Sequence, residues 1–332
     1  MSLVFDKHRL ISGLALPATS LRQASAIANR HHADAVLTIG LVNNMPDAAL
    51  QATERQFRAL LKAAAGPRIV DLRYFSLPSV KRSWAAQSRI ERFYTKFADL
   101  DRLHLDGMIV TGTEPHAAFL AEEPYWQEFS ELVDWAEANT RSTIWSCLAA
   151  HAAVLHLDGI ERRLLREKCS GMFDCSKAKD RDHWLTRDIP SSLRVAHSRL
   201  NELRRTDLVA CNYQVLTQSC EAGVDIFAKE LRSHFIFFQG HPEYELMSLQ
   251  REYRRDVSRY LGGERDTYPA IPCGYFDEET EYRLANFECR ARMERNPTLI
   301  TELPCLTLRQ DLAAGSAVRL IFRNWLQYLA SR

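Results

Sequence analysis

The sequence predicts an α/β domain built on a mostly parallel sheet flanked by helices, with β-rich additions in its second half. Three observations lead there. Short apolar runs alternate with amphipathic stretches of helical period through the first half of the chain, the signature of strands joined by crossover helices. One of these runs ends in a single cysteine at which a helix begins. The composition, 46% hydrophobic and 26% charged over 332 residues, excludes a disordered or collagen-like chain.

Residues 35–42 read as a buried strand, with Asn43-Asn44-Met45-Pro46 as the turn at its carboxyl end. From Asp47 to about Ala64, Leu50, Phe57, Leu60 and Leu61 recur at helical spacing behind an acidic first turn. Residues 68–75 form the next strand, followed by helical segments carrying Trp84, Phe93, Tyr94 and Phe97. Residues 105–110 are a strand stopped by Thr111-Gly112-Thr113. A helix begins at Pro124-Tyr125-Trp126 and runs to about Ala138, burying Phe129, Leu132, Val133 and Trp135. Residues 142–146 are a short strand ending at Cys147, and 148–157 are helical. Strands are then expected at 193–196, 208–217, 224–227 and 235–238, and a charged helix at 245–261. Residues 262–300 show little periodicity and read as a wrapping connection, and an amphipathic helix at 317–329 closes the chain. The organisation expected is an N-terminal extension over 1–34, a catalytic domain over 35–261, and a C-terminal segment over 262–332 belonging to that same domain.

With 43 Lys plus Arg against 42 Asp plus Glu, the formal charge of +1 provides no field that would draw the chain to nucleic acid or an anionic membrane. Charged ligands must be met locally. The longest apolar stretches fall far short of the roughly 20 residues of a spanning helix. Eight scattered cysteines with no C-x-x-C pair fit reduced thiols in a cytoplasmic protein, with no metal centre expected.

Two motifs carry chemistry. Cys147 stands where a strand becomes a helix, and the first free N–H groups of that helix can lower a thiol pKa and bind an oxyanion. Free cysteine is also among the most buried residue types, so the elbow alone does not make a nucleophile. The second motif is an apolar strand followed by Gly240-His241-Pro242-Glu243. A histidine at a strand end can reach a thiol at a neighbouring strand end, and a carboxylate two residues later can orient its imidazole. Together they predict a Cys147–His241–Glu243 triad.

Further motifs occur in a fixed order: Asn44-Met45-Pro46 with Glu54 and Gln56; residues 106–112 then Tyr125-Trp126; Ser142-Thr143 and Cys147; Lys168, Ser170-Gly171 and Phe173; His197-Ser198-Arg199; residues 240–244; residues 252–256; and residues 321–326. In these the chain resembles the homoserine O-acyltransferase family, the succinyl- or acetyl-transferring enzymes of methionine biosynthesis. Their fold is similar to that of the class I glutamine amidotransferases, which is flavodoxin-like. The resemblance implies Cys147 as nucleophile, His241 as general base and acid, and Glu243 as its orienting carboxylate. It implies that Arg255 holds the amino acid's carboxylate, Glu252 faces its ammonium, Ser198 adds a polar contact, and Lys168 lies near the acyl group or the oxyanion. The backbone N–H of Leu148 would meet that oxyanion.

What the resemblance implies is transfer of succinyl from succinyl-CoA to the hydroxyl of L-homoserine through a Cys147 acyl-enzyme. The acyl-CoA would be a co-substrate and not a bound cofactor, and a homodimer is expected. The chain departs from the family pattern at three places. His116 falls at or near the position that discriminates acyl groups in the family; a histidine could accept a succinyl carboxylate, which inclines the reading to succinyl. His151 stands where glutamine is usual, and would either replace its hydrogen bond or pack. Asp47 and Ala48 replace basic residues, which weakens this loop as a site for CoA phosphates. Acetyl-CoA as donor and serine as acceptor stay open, as does a cysteine hydrolase or glutamine amidotransferase. Trp145, two residues before Cys147, replaces the small residue usual in amidotransferases.

Overall fold

A computed structural model describes residues 3–6, 9–12, 36–178, 182–312 and 315–331. Most of the expected N-terminal extension lies outside them; within it, β1 (Leu3–Asp6) and β2 (Arg9–Ser12) pair as an antiparallel hairpin.

Five parallel strands form one half of a nine-stranded sheet: β3 (Leu37–Val42), β4 (Val70–Phe75), β5 (Gly107–Thr111), β6 (Ser142–Ser146) and β11 (His234–Phe238). Their spatial order is β4-β3-β5-β6-β11, the flavodoxin-like 2-1-3-4-5 arrangement. The sheet continues antiparallel through β10 (Gly223–Glu230), β9 (Gln214–Ser219), β7 (Arg163–Lys177) and β8 (Ser192–Glu202). The expected mostly parallel sheet is therefore parallel in the half that carries Cys147 and antiparallel in the other. The antiparallel additions arise where crossover helices give way to hairpins.

Alternation along the strands divides the core in two. Ile109, Ile144 and Ile236 lie opposite one another in register and face α1 (Asp47–Ala65) and α8 (Gly315–Ala330). Met108, Trp145 and Phe237 point to the other side, under α3 (Trp126–Asn139) and α4 (Leu148–Asp158). The remaining α-helices among the described residues are α2 (Trp84–Phe93), α5 (Arg205–Ala210), α6 (Ser248–Leu261) and α7 (Glu278–Glu294). A third apolar cluster joins Leu249, Tyr253 and Val257 of α6 to Leu284 and Phe287 of α7. Trp325 of α8 is fully buried, and its indole donates to Ser142 Oγ at 3.0 Å, so the chain's last helix fastens beneath the strand that leads to Cys147.

Four expectations change. Residues 208–210 are the end of α5, not strand, because Asn212 takes a left-handed turn (φ 64°) that separates them from β9. β7 runs for 15 residues through what read as a charged stretch; its first half is largely exposed, so no apolar alternation marks it. The connection at 262–300 contains α7, capped by Asp277, whose side chain accepts from Thr280 N at 2.8 Å. Its apolar stripe is thin, which hides the period. Trp135 is only half-buried, and Ala136 takes the core position. No helix among the described residues is long and apolar enough to cross a membrane.

Candidate active site

The carboxyl ends of the parallel strands converge on one cavity. It is lined by Met45 and Pro46 after β3, residues 111–115 after β5, Cys147 after β6 and His241 after β11. This is where open α/β sheets bind ligands, and it follows from topology, since every loop leaving a strand's carboxyl end opens on that side.

Cys147 adopts φ 53° and ψ −113°, a left-handed conformation for a residue with a Cβ, and caps α4. Such backbone costs about 1–3 kcal/mol and persists only where its surroundings over-determine it. Here Cys147 N donates to Phe238 O at 2.7 Å, while Cys147 O accepts from Ala150 and His151 N–H in the first turn of α4. The thiol is thereby lifted clear of the sheet at a helix N-terminus. The N–H of Leu148 belongs to the same turn, and Gly112 packs so closely that a Cβ on it would lie 3.1 Å from Leu148 N. A backbone pocket is thus formed between the β5 loop and the head of α4.

His241 is buried, and its Nδ1 lies 2.9 Å from Glu243 Oε1. Its own N–H donates to Ala196 O at 2.7 Å, so the loop is fixed from β8. With Nδ1 engaged, Nε2 is left for Cys147, which lines the same cavity and whose charge reaches the imidazole. Burial opposes the charged imidazole, but the charge of Cys147 and the Glu243 carboxylate outweigh it, and the pKa rises well above the ordinary histidine value. The three residues expected to form a triad line one cavity, with the Glu243 carboxylate on the imidazole of His241.

Beyond the triad, Tyr244 stacks on His241 with centroids 4.2 Å apart and donates its hydroxyl to Glu252 Oε1. Ser198 Oγ donates to Glu252 Oε2, and Lys168 Nζ stands 3.6 Å from that oxygen and 2.9 Å from Asp256 Oδ2. Burial would raise the Glu252 pKa, yet Lys168 and the two hydroxyls hold it below the ordinary carboxylate value. Arg255 reaches Asp256 Oδ1 through Nε at 3.2 Å and Nη2 at 3.0 Å, leaving Nη1 without a hydrogen bond among the described residues. Glu252, Arg255, Ser198 and Lys168 all line the cavity. Lys168 differs from expectation in its surroundings, because it is committed to two carboxylates on the α6 side.

A search of known families matches residues 16–332 to the one described as "Homoserine O-succinyltransferase". The chain belongs to that family. Relatives named homoserine O-succinyltransferase include those of Bradyrhizobium japonicum (54% identity over 99% of this chain and 99% of its own), Rhodopseudomonas palustris (54%, over 100% and 99%) and Methylorubrum extorquens (45%, over 99% and 98%). Among solved structures, a glutamine amidotransferase from Methylobacillus flagellatus aligns with 90% of this chain and 97% of its own at 12% identity and a TM-score of 0.49.

At the positions where the chain departs from the homoserine O-acyltransferase pattern, the structure is specific. His116 is exposed and does not line the cavity, whereas Glu114 and Pro115 of the same loop do. Asp47 opens α1 and accepts from Ser83 N at 2.8 Å and from Arg82, whose buried guanidinium also bonds Asn43 O and Met45 O, so its carboxylate braces the loop from beneath. His151 lines the cavity, fully buried, with Nε2 3.1 Å from Gln239 Oε1. Burial and the nearby Arg199 push its pKa down to about 3.

Sequence reasoning missed Arg162, Tyr244 and Gln239 as site residues. Tyr244 could have been read from its place beside His-Pro-Glu. Arg162 was hidden in a run of charges. Among the described residues, Cys175, His197 and Asp225 bring donor atoms within 4.8 Å of one another. They are sealed behind Gly240, where Thr217 Oγ1 donates to Asp225 Oδ2 at 2.8 Å and His197 Nε2 lies 3.4 Å from Oδ1. This group fills the space a Cβ at residue 240 would need and backs the loop that carries His241.

Proposed function

We propose that the chain transfers a succinyl group from succinyl-CoA to the hydroxyl of L-homoserine, through a thioester on Cys147. The observation that carries this is the meeting of an elbow cysteine with a buried, carboxylate-oriented imidazole, in a chain whose relatives bear that activity's name.

In the first half-reaction the Cys147 sulfur attacks the thioester carbonyl, and the oxyanion is met by the Leu148 N–H at the head of α4. Collapse breaks the bond to the CoA sulfur, which departs with the proton carried by His241. In the second half-reaction His241 Nε2 takes the proton of the acceptor hydroxyl as its oxygen attacks the acyl-enzyme, and Cys147 leaves as thiolate. General base assistance of this kind contributes about 10²–10⁴-fold. Acyl-CoA acts here as a co-substrate. The amino acid lies between Arg255, which offers its free Nη1 to the carboxylate, and Glu252. Four lone-pair sites on Glu252 exceed the three donors it already meets, so one remains for the ammonium.

Intact-mass spectrometry after incubation with succinyl-CoA tests the reading. The expected result is addition of one succinyl group, lost on adding L-homoserine with formation of the O-succinyl ester, and no addition to Cys147→Ala. Acylation from acetyl-CoA alone, or ammonia release from glutamine, would overturn it.

A further inference from the structure

Arg162 follows the C-terminus of α4, half-buried, and lines the same cavity as Cys147. The other cations around it are engaged. Lys168 and Arg255 pair with Asp256, Arg265 lies 3.5 Å from the same carboxylate, Arg259 pairs with Glu114 at 3.2 Å, and Arg199 donates to the carbonyls of Asn201 and Ala222. Arg162 has no hydrogen bond and no ion pair among the described residues.

Its neighbours share that condition. The Tyr125 hydroxyl, Glu123 Oε2 and His151 Nδ1 are all buried without a hydrogen-bond partner, and all three groups lie within electrostatic reach of Arg162. Buried polar atoms are almost always hydrogen-bonded, so three unmet buried atoms around a half-buried guanidinium mark a subsite completed from outside the chain. The hydrogen bonds of Gln239 define what His151 can do. The Gln239 amide nitrogen donates to Leu203 O and Val224 O, so its Oε1 is an acceptor, and His151 Nε2 must carry the proton it gives. Nδ1 is then a lone pair that accepts and cannot donate. The subsite therefore has two acceptors, His151 Nδ1 and Glu123 Oε2, and two donors, the Arg162 guanidinium and the Tyr125 hydroxyl. An arriving anion is received by those donors.

We infer that Arg162, assisted by the Tyr125 hydroxyl, holds the distal carboxylate of the acyl donor while the thioester carbonyl lies at Cys147. The inference rests on the proposed succinyl transfer and names the residue that recognises the acyl group. Succinyl carries its carboxylate two methylenes from the reacting carbonyl, which calls for a cation close to the nucleophile, and the charge of Arg162 is felt at Cys147. Guanidinium matches a carboxylate through paired N–H donors. A CoA phosphate is the other anion available, and Glu123 disfavours it. Its Oε1 is fixed by the N–H groups of His116 (2.6 Å) and Ala117 (2.8 Å), so its charge stays beside Arg162 and leaves little net positive charge for a dianion. The same two hydrogen bonds tie the loop bearing His116 to this subsite. Acyl discrimination then operates through Arg162, with that loop as its wall.

The test is the rate constant for acylation of Cys147, measured by rapid-quench intact mass for the wild type, R162M and R162K. Three donors are used: succinyl-CoA, acetyl-CoA, and succinyl-N-acetylcysteamine, which has the carboxylate and no phosphate. R162M should lose on the order of 100-fold with both succinyl donors and stay within about twofold of wild type with acetyl-CoA, which also reports correct folding. R162K should recover part of the loss. An equal loss with acetyl-CoA would assign Arg162 to the phosphates or to structure and overturn the inference, as would succinylation of R162M at the wild-type rate. A wild type that takes no succinyl group overturns the proposed function, and this inference with it.

Discussion

Gly112 sits so close to Leu148 that a Cβ on the glycine would lie 2.4 Å from the Leu148 Cβ and 3.1 Å from its backbone N. The β5 loop and the elbow after β6 therefore share one position that only glycine fits. Gly112→Ala is expected to push the loop from the head of α4, at a cost of about 1–3 kcal/mol in stability, and to slow acylation more than it weakens substrate binding. Urea unfolding and single-turnover acylation measure the two effects.

The His241–Glu243 contact sets the pH behaviour. The Glu243 carboxylate raises the imidazole pKa, so Glu243→Gln should move the limb of the kcat/KM profile that reports His241 to lower pH by roughly 1 unit. The maximal rate should fall because the neutral amide no longer stabilises the imidazolium. An unmoved limb would show that Glu243 only buttresses the loop.

Glu252→Gln separates the two half-reactions. The amide keeps the shape that Tyr244 and Ser198 grip, and Lys168 retains Asp256, so the fold is expected to hold. Succinylation of Cys147 should proceed at its usual rate while KM for L-homoserine rises roughly 30-fold. Equal damage to acylation would remove Glu252 from the amino-acid subsite.

Stability should fall in acid through buried neutral imidazoles. His151 has a folded pKa near 3 and His183 one near 4, both below the unfolded value of about 6.5. As pH drops from about 6.5 towards 3, the unfolded chain takes up a proton at residue 151 that the fold does not. That contribution lowers stability by up to about 1.4 kcal/mol per pH unit. His241 acts with the opposite sign: its raised pKa stabilises the fold below the unfolded value and is lost as pH rises through the folded one. Comparing urea midpoints at pH 5 and pH 7.5 for wild type and His151→Gln isolates the first effect. The variant should show the smaller decline.

Trp325 tests the last helix. Its buried indole is also one of the groups against which Gly107 packs. Trp325→Ala should cost about 3–5 kcal/mol and lower the urea midpoint of the whole cooperative transition, with no early phase confined to the C-terminus.

Local signals carried much of the fold. The parallel strands are short apolar runs and their helices have wide apolar faces, so periodicity revealed them within two or three residues. β7 and α7 escaped because their buried stripes are interrupted or thin; the Asp277 cap and the three glutamates in the first turn of α7 were the available sign. The Cys147, His241 and Glu243 positions were legible because each lies at a strand end, where chemistry gathers and a hydrophobic run stops abruptly.

The elbow, the histidine with its carboxylate, and the run of motifs that resembles the homoserine O-acyltransferases are local in the chain and could be read from it directly. How charges are shared emerged with the folded arrangement. Lys168 turned to Asp256, His116 stayed outside the cavity, and Arg162 came to line it with no ion pair among the described residues. Pairing between charges depends on which strand ends and loops are brought together across the sheet, and on how deeply each group is withdrawn from water. Spacing along the chain encodes neither.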